Sequence, residues 1–274
     1  MPQHGHHAES DAPTASGVDH ATTQPAPQVA NAHEARPTAV LVIHGFTSRP
    51  ASIMPWADAL RAAGHPVKTP LLPGHGTHWH DLESLPYTAW TRAVEVAYDS
   101  LAARHGSVAV AGLSMGGTLA LHLAAVRRPV AVLVTNPALS PYPWYSRFAP
   151  ALRHVVRSTS GIADDIARPG VSEGAYERTP TAAVAQLLRL EAAVRRELPG
   201  IAAPITLFRS ATDHVVSDAS VDALRAGLAP ATRERLTEVP LPRSLHVATL
   251  DWDAGLIADR SVAALAEART AGLP

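Results

Sequence analysis

The chain of 274 residues contains no cysteine. That excludes disulfides, thiolate metal sites and a cysteine nucleophile. Aromatic residues are scarce at 5%, charged residues make up 17%, and the formal net charge is -1. No basic field is present to draw in nucleic acid or an anionic membrane surface. No apolar run approaches the roughly eighteen residues that a membrane span requires. The N-terminal MPQHGHHAESDAPTASG lacks the basic and then apolar order of a signal peptide. These absences predict a soluble, cytoplasmic protein. What is present, 46% hydrophobic residues, suffices for one sizeable core.

Residues 1–36 are rich in Pro, Ala, Thr, Gln and His and have no apolar period. Such a segment buries too little to offset its ordering entropy and is expected to be a disordered tail. Its histidines (His4, His6, His7, His20 and His33) read as solvated side chains. From Thr38 short apolar runs alternate with helical patterns: TAVLVI (38–43), VAVA (108–111), AVLVT (131–135) and ITLF (205–208). Each run is continuous, as in parallel strands covered on both faces. Helices are expected at 51–63, 87–104, 115–127, 181–197 and about 254–271, giving a doubly wound α/β domain over 37–274. Between Asn136 and Pro199 no convincing strand is legible. Prolines and aromatics crowd PALSPYPWYSRF, and a helical cap over the sheet's carboxyl edge is expected at about 137–199.

VAVAGLSMGG (108–117) places Ser114 between Gly112 and Gly116, after a strand and before a helix. That is the context of a strained nucleophile elbow. Side chains two positions either way would clash, and the following helix directs its N-terminal N–H groups toward any anion there. A serine needs a base, and the base needs an acid to orient it. In such folds the order along the chain is serine, acid, histidine. Asp213 follows the late strand in ITLFRSATD, and His246 lies in RSLHVATLD after the expected strand RLTEV (235–239). His214 adjoins Asp213 and should point away. Asp218, Asp251 and Asp253 are substitute acids, although helix capping accounts for them. The oxyanion needs two donors; the Met115 N–H is one, and the Phe46 N–H of His44-Gly45-Phe46-Thr47 is the other. His44 is expected to brace that loop.

IHGFTSRP (43–50), LLPGHGTH (71–78), GLSMGG (112–117), TDHVV (212–216) and SLHVATLD (244–251) together resemble the bacterial carboxylesterases and monoacylglycerol lipases of the α/β-hydrolase superfamily. The resemblance runs from about residue 38 to the C-terminus. It implies an α/β-hydrolase fold with a trimmed, mostly parallel sheet, helices on both faces and a small helical cap. It implies Ser114, Asp213 and His246 as catalytic residues, and the Phe46 and Met115 N–H groups as oxyanion hole. Ser48 stands where many relatives carry glycine, in the loop behind that hole. The implied reaction is cleavage of short- to medium-chain acyl esters or monoacylglycerols through an acyl-enzyme, with no cofactor. A thioesterase, an amidase or a non-catalytic ligand-binding member is the alternative. Trp79, Tyr142, Trp144, Tyr145 and Phe148 are candidates to line the acyl channel. His75, His78 and His80 invite a zinc reading, but they lack an evident further ligand, and no metal is expected.

Overall fold

The computed structural model describes residues 37–140, 157–161 and 163–270. The chain divides between Ala35 and Arg36, and the fold is that of the second unit. The expected tail at 1–36 lies outside the described residues, as do Tyr142, Trp144, Tyr145 and Phe148. Among the described residues no helix is long and apolar enough to cross a membrane.

The strands are β1 (Ala39–Ile43), β2 (Val67–Lys68), β3 (Val108–Leu113), β4 (Val132–Thr135), β5 (Ser158–Ser160), β6 (Arg178–Pro180), β7 (Ile205–Ser210) and β8 (Leu236–Leu241). The helices are α1 (Met54–Ala62), α2 (Tyr87–His105), α3 (Met115–Arg127), α4 (Thr181–Glu197), α5 (Ala219–Gly227), α6 (Pro230–Arg233) and α7 (Ala254–Thr270). Six strands form one sheet in the order β2-β1-β3-β4-β7-β8. Every pairing in it is parallel.

The apolar runs are continuous because the sheet is covered twice. Side chains alternate across a strand, so Leu41, Ile43, Val108, Val110, Val132 and Val134 face one way, against Trp90 and Val94 of α2, Leu119 and Leu123 of α3, and Leu190 and Val194 of α4. Val40, Val42, Ala109, Ala111 and Leu133 face the other way, against Trp56 and Leu60 of α1 and Ile257 and Leu265 of α7. Fully burying a large aliphatic or aromatic side chain stabilises the fold by about 1.5–3 kcal/mol. Trp56 keeps its polar atom satisfied while buried, donating from Nε1 to Ser261 Oγ at 2.9 Å.

Register aligns the chemistry. Ile43 is opposite Gly112, Leu113 opposite Thr135, and Thr135 opposite Phe208. The loops that follow β1, β3 and β7 therefore open at one edge of the sheet, the carboxyl edge.

Two features depart from the expectations. The stretch thought to lack strands contains β5 and β6, paired antiparallel with Thr159 opposite Thr179. Each is three residues long and polar, too short for an apolar period to show. The helix α4 does not belong wholly to a cap, because Leu190 and Val194 sit in the main core. Its Arg195 Nη1 also donates to the carbonyls of Leu139 and Ser140, at 3.1 and 2.8 Å, which ties the exit of β4 to the last turn of α4.

Candidate active site

Ser114 occupies the turn between β3 and α3 with φ 55°, left-handed backbone that a non-glycine residue adopts only under constraint. The two flanking glycines make that turn possible, because backbone closes on backbone where a side chain would stand. A Cβ on Gly112 would lie 2.2 Å from the Gly116 carbonyl carbon, and one on Gly116 would lie 2.1 Å from the carbonyl oxygen of Ile43. The elbow therefore presses directly on the end of β1. Its backbone is fixed by Ser114 N–H donating to Thr135 O at 2.9 Å.

Ser114 and His246 line one cavity of about 330 Å³. Its walls are largely apolar: Leu113 and Ala138 from the sheet edge, Val184, Leu187 and Leu188 from α4, and Val215, Val216 and Val247 from the loops. Three carboxyl side chains, Asp165, Glu173 and Glu191, also line it.

Asp213 and His246 meet: His246 Nδ1 lies 3.0 Å from Asp213 Oδ2. The Asp213 side chain is fully buried, and that of His246 is 7% exposed. Burial alone would raise the Asp213 pKa. The His246 imidazole, followed by the N–H groups of Val216 and Val215, reverses that and holds it below the ordinary value. The two N–H groups donate to Oδ1 at 2.8 and 2.9 Å, and Arg209 Nη1 donates to Oδ2 at 3.1 Å. An ionised Asp213 only accepts, so the proton between the two residues sits on His246 Nδ1, the tautomer of the neutral imidazole in which Nε2 is the acceptor.

The loop after β1 reaches the same cavity through Gly45 and Phe46. The Phe46 ring is held edge-on by Trp90 at 5.9 Å and His75 at 6.2 Å. Met115 is the first residue of α3, where a helix N–H has no intrahelical acceptor. His44 braces this loop: its Nδ1 contacts Gly45 O at 2.9 Å and its Nε2 accepts from Leu72 N–H at 3.1 Å. Burial, assisted by the neighbouring His75, lowers its pKa to about 3, so the ring stays neutral. Ser48, behind this loop, is buried.

The structure places the remaining candidates as follows. Trp79 does not line the cavity. It opens a short 3-10 helix, Trp79–Leu82, and lies under the guanidinium groups of Arg157 and Arg178, each 5.8 Å from its ring. His214 points away from Asp213, as expected, but into solvent, pairing with Asp165 Oδ1 at 2.7 Å. Asp218, Asp251 and Asp253 do not cap helices with their side chains. Asp218 accepts from Arg209 at 2.7 Å. Asp251 accepts from the N–H groups of Ala167, Arg168 and Leu245. Asp253 accepts from Arg243 N–H at 2.9 Å. His75 is buried and contacts Pro73 O through Nδ1, while His78 and His80 are exposed. Among the described residues no group of three or more His, Cys, Asp or Glu side chains is placed to hold a metal ion.

Sequence reasoning missed three side chains. Asn136, at the end of β4, donates from Nδ2 to His246 O at 2.8 Å and to Ser210 Oγ at 2.9 Å. A polar residue closing the apolar run AVLVT was the available signal. Asp165 accepts from His246 N–H at 3.1 Å, and no local pattern announces it. Glu173 is buried on the cavity wall. Burial raises its pKa, and the Ser48 hydroxyl and the Asp164 N–H oppose the shift without cancelling it.

Comparison with known proteins gives the family. Residues 40–271 match the model of the alpha/beta hydrolase family. The chain is 39% identical over 226 residues to a thermostable monoacylglycerol lipase of Bacillus sp. (strain H-257), covering 82% of this chain and 89% of that one. It is 25% identical over 188 residues to a carboxylesterase of Bacillus subtilis (strain 168), covering 67% and 75%. Among solved structures, a chain described with the metagenome-derived lipolytic enzymes LipS and LipT superposes with a TM-score of 0.79 at 32% identity, over 85% of this chain and 94% of its own. By family match, by sequence over most of its length and by fold, the chain belongs to the alpha/beta hydrolase family.

Proposed function

We propose that the protein is a serine hydrolase that cleaves carboxylic esters, of short- to medium-chain acyl groups or as monoacylglycerols, through an acyl-enzyme. The observation that carries this reading is the strained Ser114 facing the same cavity as a His246 whose far nitrogen is bonded to a buried carboxylate. The likeness to a lipase at 39% identity supports it.

His246 Nε2 takes the Ser114 proton as the hydroxyl attacks the ester carbonyl. The Phe46 and Met115 N–H groups stabilise the oxyanion, and donors of this kind are typically worth about 3–4 kcal/mol each. The proton then passes to the leaving alcohol, and the same imidazole activates water for deacylation. Asp213 fixes the tautomer and stabilises the imidazolium. No step requires a cofactor.

The described part of the insertion between β4 and β7 walls the cavity. Ala163, Asp165 and Glu173, with Val184, Leu187 and Leu188 of α4, supply much of the cavity wall. A volume of about 330 Å³ lies at the small end of ligand cavities, which suits a short or medium acyl chain. A panel of p-nitrophenyl and glyceryl esters of graded length, assayed on the parent and on Ser114→Ala, tests the reading. Activity on none of them, or equal activity of both proteins, would overturn it.

A further inference from the structure

The peptide of His246 is gripped on both sides. Its carbonyl accepts from Asn136 Nδ2 at 2.8 Å, which anchors it to the sheet. Its N–H donates to Asp165 Oδ2 at 3.1 Å, which anchors it to the insertion between β4 and β7. The same Oδ2 accepts from the N–H of His214 at 3.2 Å, the residue next to Asp213. One carboxylate oxygen thus bridges the loop that carries the acid and the loop that carries the base.

The seam continues on both sides of that oxygen. Val247 N–H donates to Asp165 O at 3.1 Å. Asp251 accepts from Leu245 N–H and also from the N–H groups of Ala167 and Arg168. Glu173 and Asp164 exchange hydrogen bonds, Glu173 N–H to Asp164 Oδ1 at 2.7 Å and Asp164 N–H to Glu173 Oε1 at 3.2 Å. The segment around Asp165 is therefore zipped along the His246 loop, and its own side chain is only 15% exposed.

We infer that Asp165 is a positioning residue for His246: its carboxylate, reaching from the insertion, sets the separation of the Asp213 and His246 loops, so that the cavity wall and the base move as one body. This rests on the serine hydrolase reading above. A base misplaced by about 1 Å costs up to roughly 10²-fold in rate. The cost falls on the chemical step because the Asp165 carboxylate oxygen is bonded to the His246 and His214 N–H groups, whereas the apolar side chains Val184, Leu187 and Leu188 supply the wall for an acyl chain.

Purified Asp165→Ala, Asp165→Asn, His214→Ala and Ser114→Ala are to be compared with the parent on p-nitrophenyl butyrate, with a thermal melt of each. Asp165→Ala should lose about 10- to 100-fold in kcat with KM within about threefold. Asp165→Asn, whose amide oxygen can stand in for Oδ2 but without the charge, should fall between it and the parent, and it carries the test if the alanine variant does not fold. His214→Ala keeps every backbone bond to Asp165 and should stay within about twofold of the parent. A kcat within twofold of the parent in both Asp165 variants overturns the inference. So does a loss confined to KM, or one that His214→Ala reproduces in full. If Ser114→Ala keeps its activity, the serine hydrolase reading itself fails; if it is inactive while Asp165→Ala is unchanged, only the role of Asp165 fails.

Discussion

The fully buried carboxylate of Asp213 lies 3.0 Å from the Nδ1 of His246, thirty-three positions along the chain. Four donors converge on it, from His246, Arg209, Val215 and Val216. Asp213→Asn keeps the shape but removes the charge and allows the wrong tautomer of His246. We expect kcat to fall by about 10³- to 10⁴-fold with the fold retained. Asp218→Asn, whose carboxylate is 89% exposed and faces Arg209, should stay within about twofold. The reverse pattern in steady-state kinetics would make Asp218 the acid.

The elbow leaves no room for a side chain at Gly116, where a Cβ would sit 2.1 Å from Ile43 O. Because the obstruction is strand backbone, Gly116→Ala must push the turn away from β1. Overpacking of this kind costs about 1–3 kcal/mol or more, and activity should drop with the melting temperature. Gly200→Ala, with open space around the Cβ, is the control. An active and fully stable Gly116→Ala would disprove the packing argument.

Much of this was legible in the chain. The runs at 38–43, 108–111, 131–135 and 205–208 are continuous because both faces of the sheet are covered, and a motif such as GLSMG needs only local context. The order serine, acid, histidine then narrowed the choice to Asp213 and His246, which the fold brings together. Asp165 was illegible because its partners lie 49 and 81 positions away and its neighbours GIADDIARPG show no period. β2 was missed because its two residues, Val67 and Lys68, pair only with the edge of β1. Trp79 misled because an aromatic beside PGHGTH suggests a channel mouth, whereas the tight 3-10 turn carries it out under two arginines.

Glu173 gives a pH signature of opposite sign to that of Asp213. Its folded pKa is raised by burial, so the folded state binds the extra proton between the ordinary value of 4.5 and the raised one. Stability due to this group therefore falls as pH rises through that window and stays low above it. Glu173→Gln, which keeps an oxygen for the Asp164 N–H, should melt higher than the parent at pH 7. The gain should vanish near pH 4. A variant less stable than the parent at pH 7 would contradict this. For Asp213, with its lowered pKa, the contribution is present above 3.8 and is lost as pH falls through the folded value.

The wall formed by Val184, Leu187 and Leu188 makes a size prediction. Each buried methylene is worth about 0.8 kcal/mol, so kcat/KM should climb roughly fourfold per added acyl carbon until the cavity is filled. Leu187→Trp should move the maximum to shorter chains and leave acetate esters near the parent rate. A flat chain-length profile, or equal slowing of acetate and octanoate, would show that α4 does not touch the acyl chain.

A nucleophilic Ser114 is open to chemical trapping. The direct measurement is ester hydrolysis by purified Ser114→Ala, paired with peptide mass analysis of the parent after exposure to a fluorophosphonate. We expect a loss of about 10⁴- to 10⁶-fold in kcat, an unchanged melt, and a single phosphonate adduct on Ser114 that is absent from the variant. Hydrolysis by Ser114→Ala within tenfold of the parent, or an adduct on another residue, would contradict it.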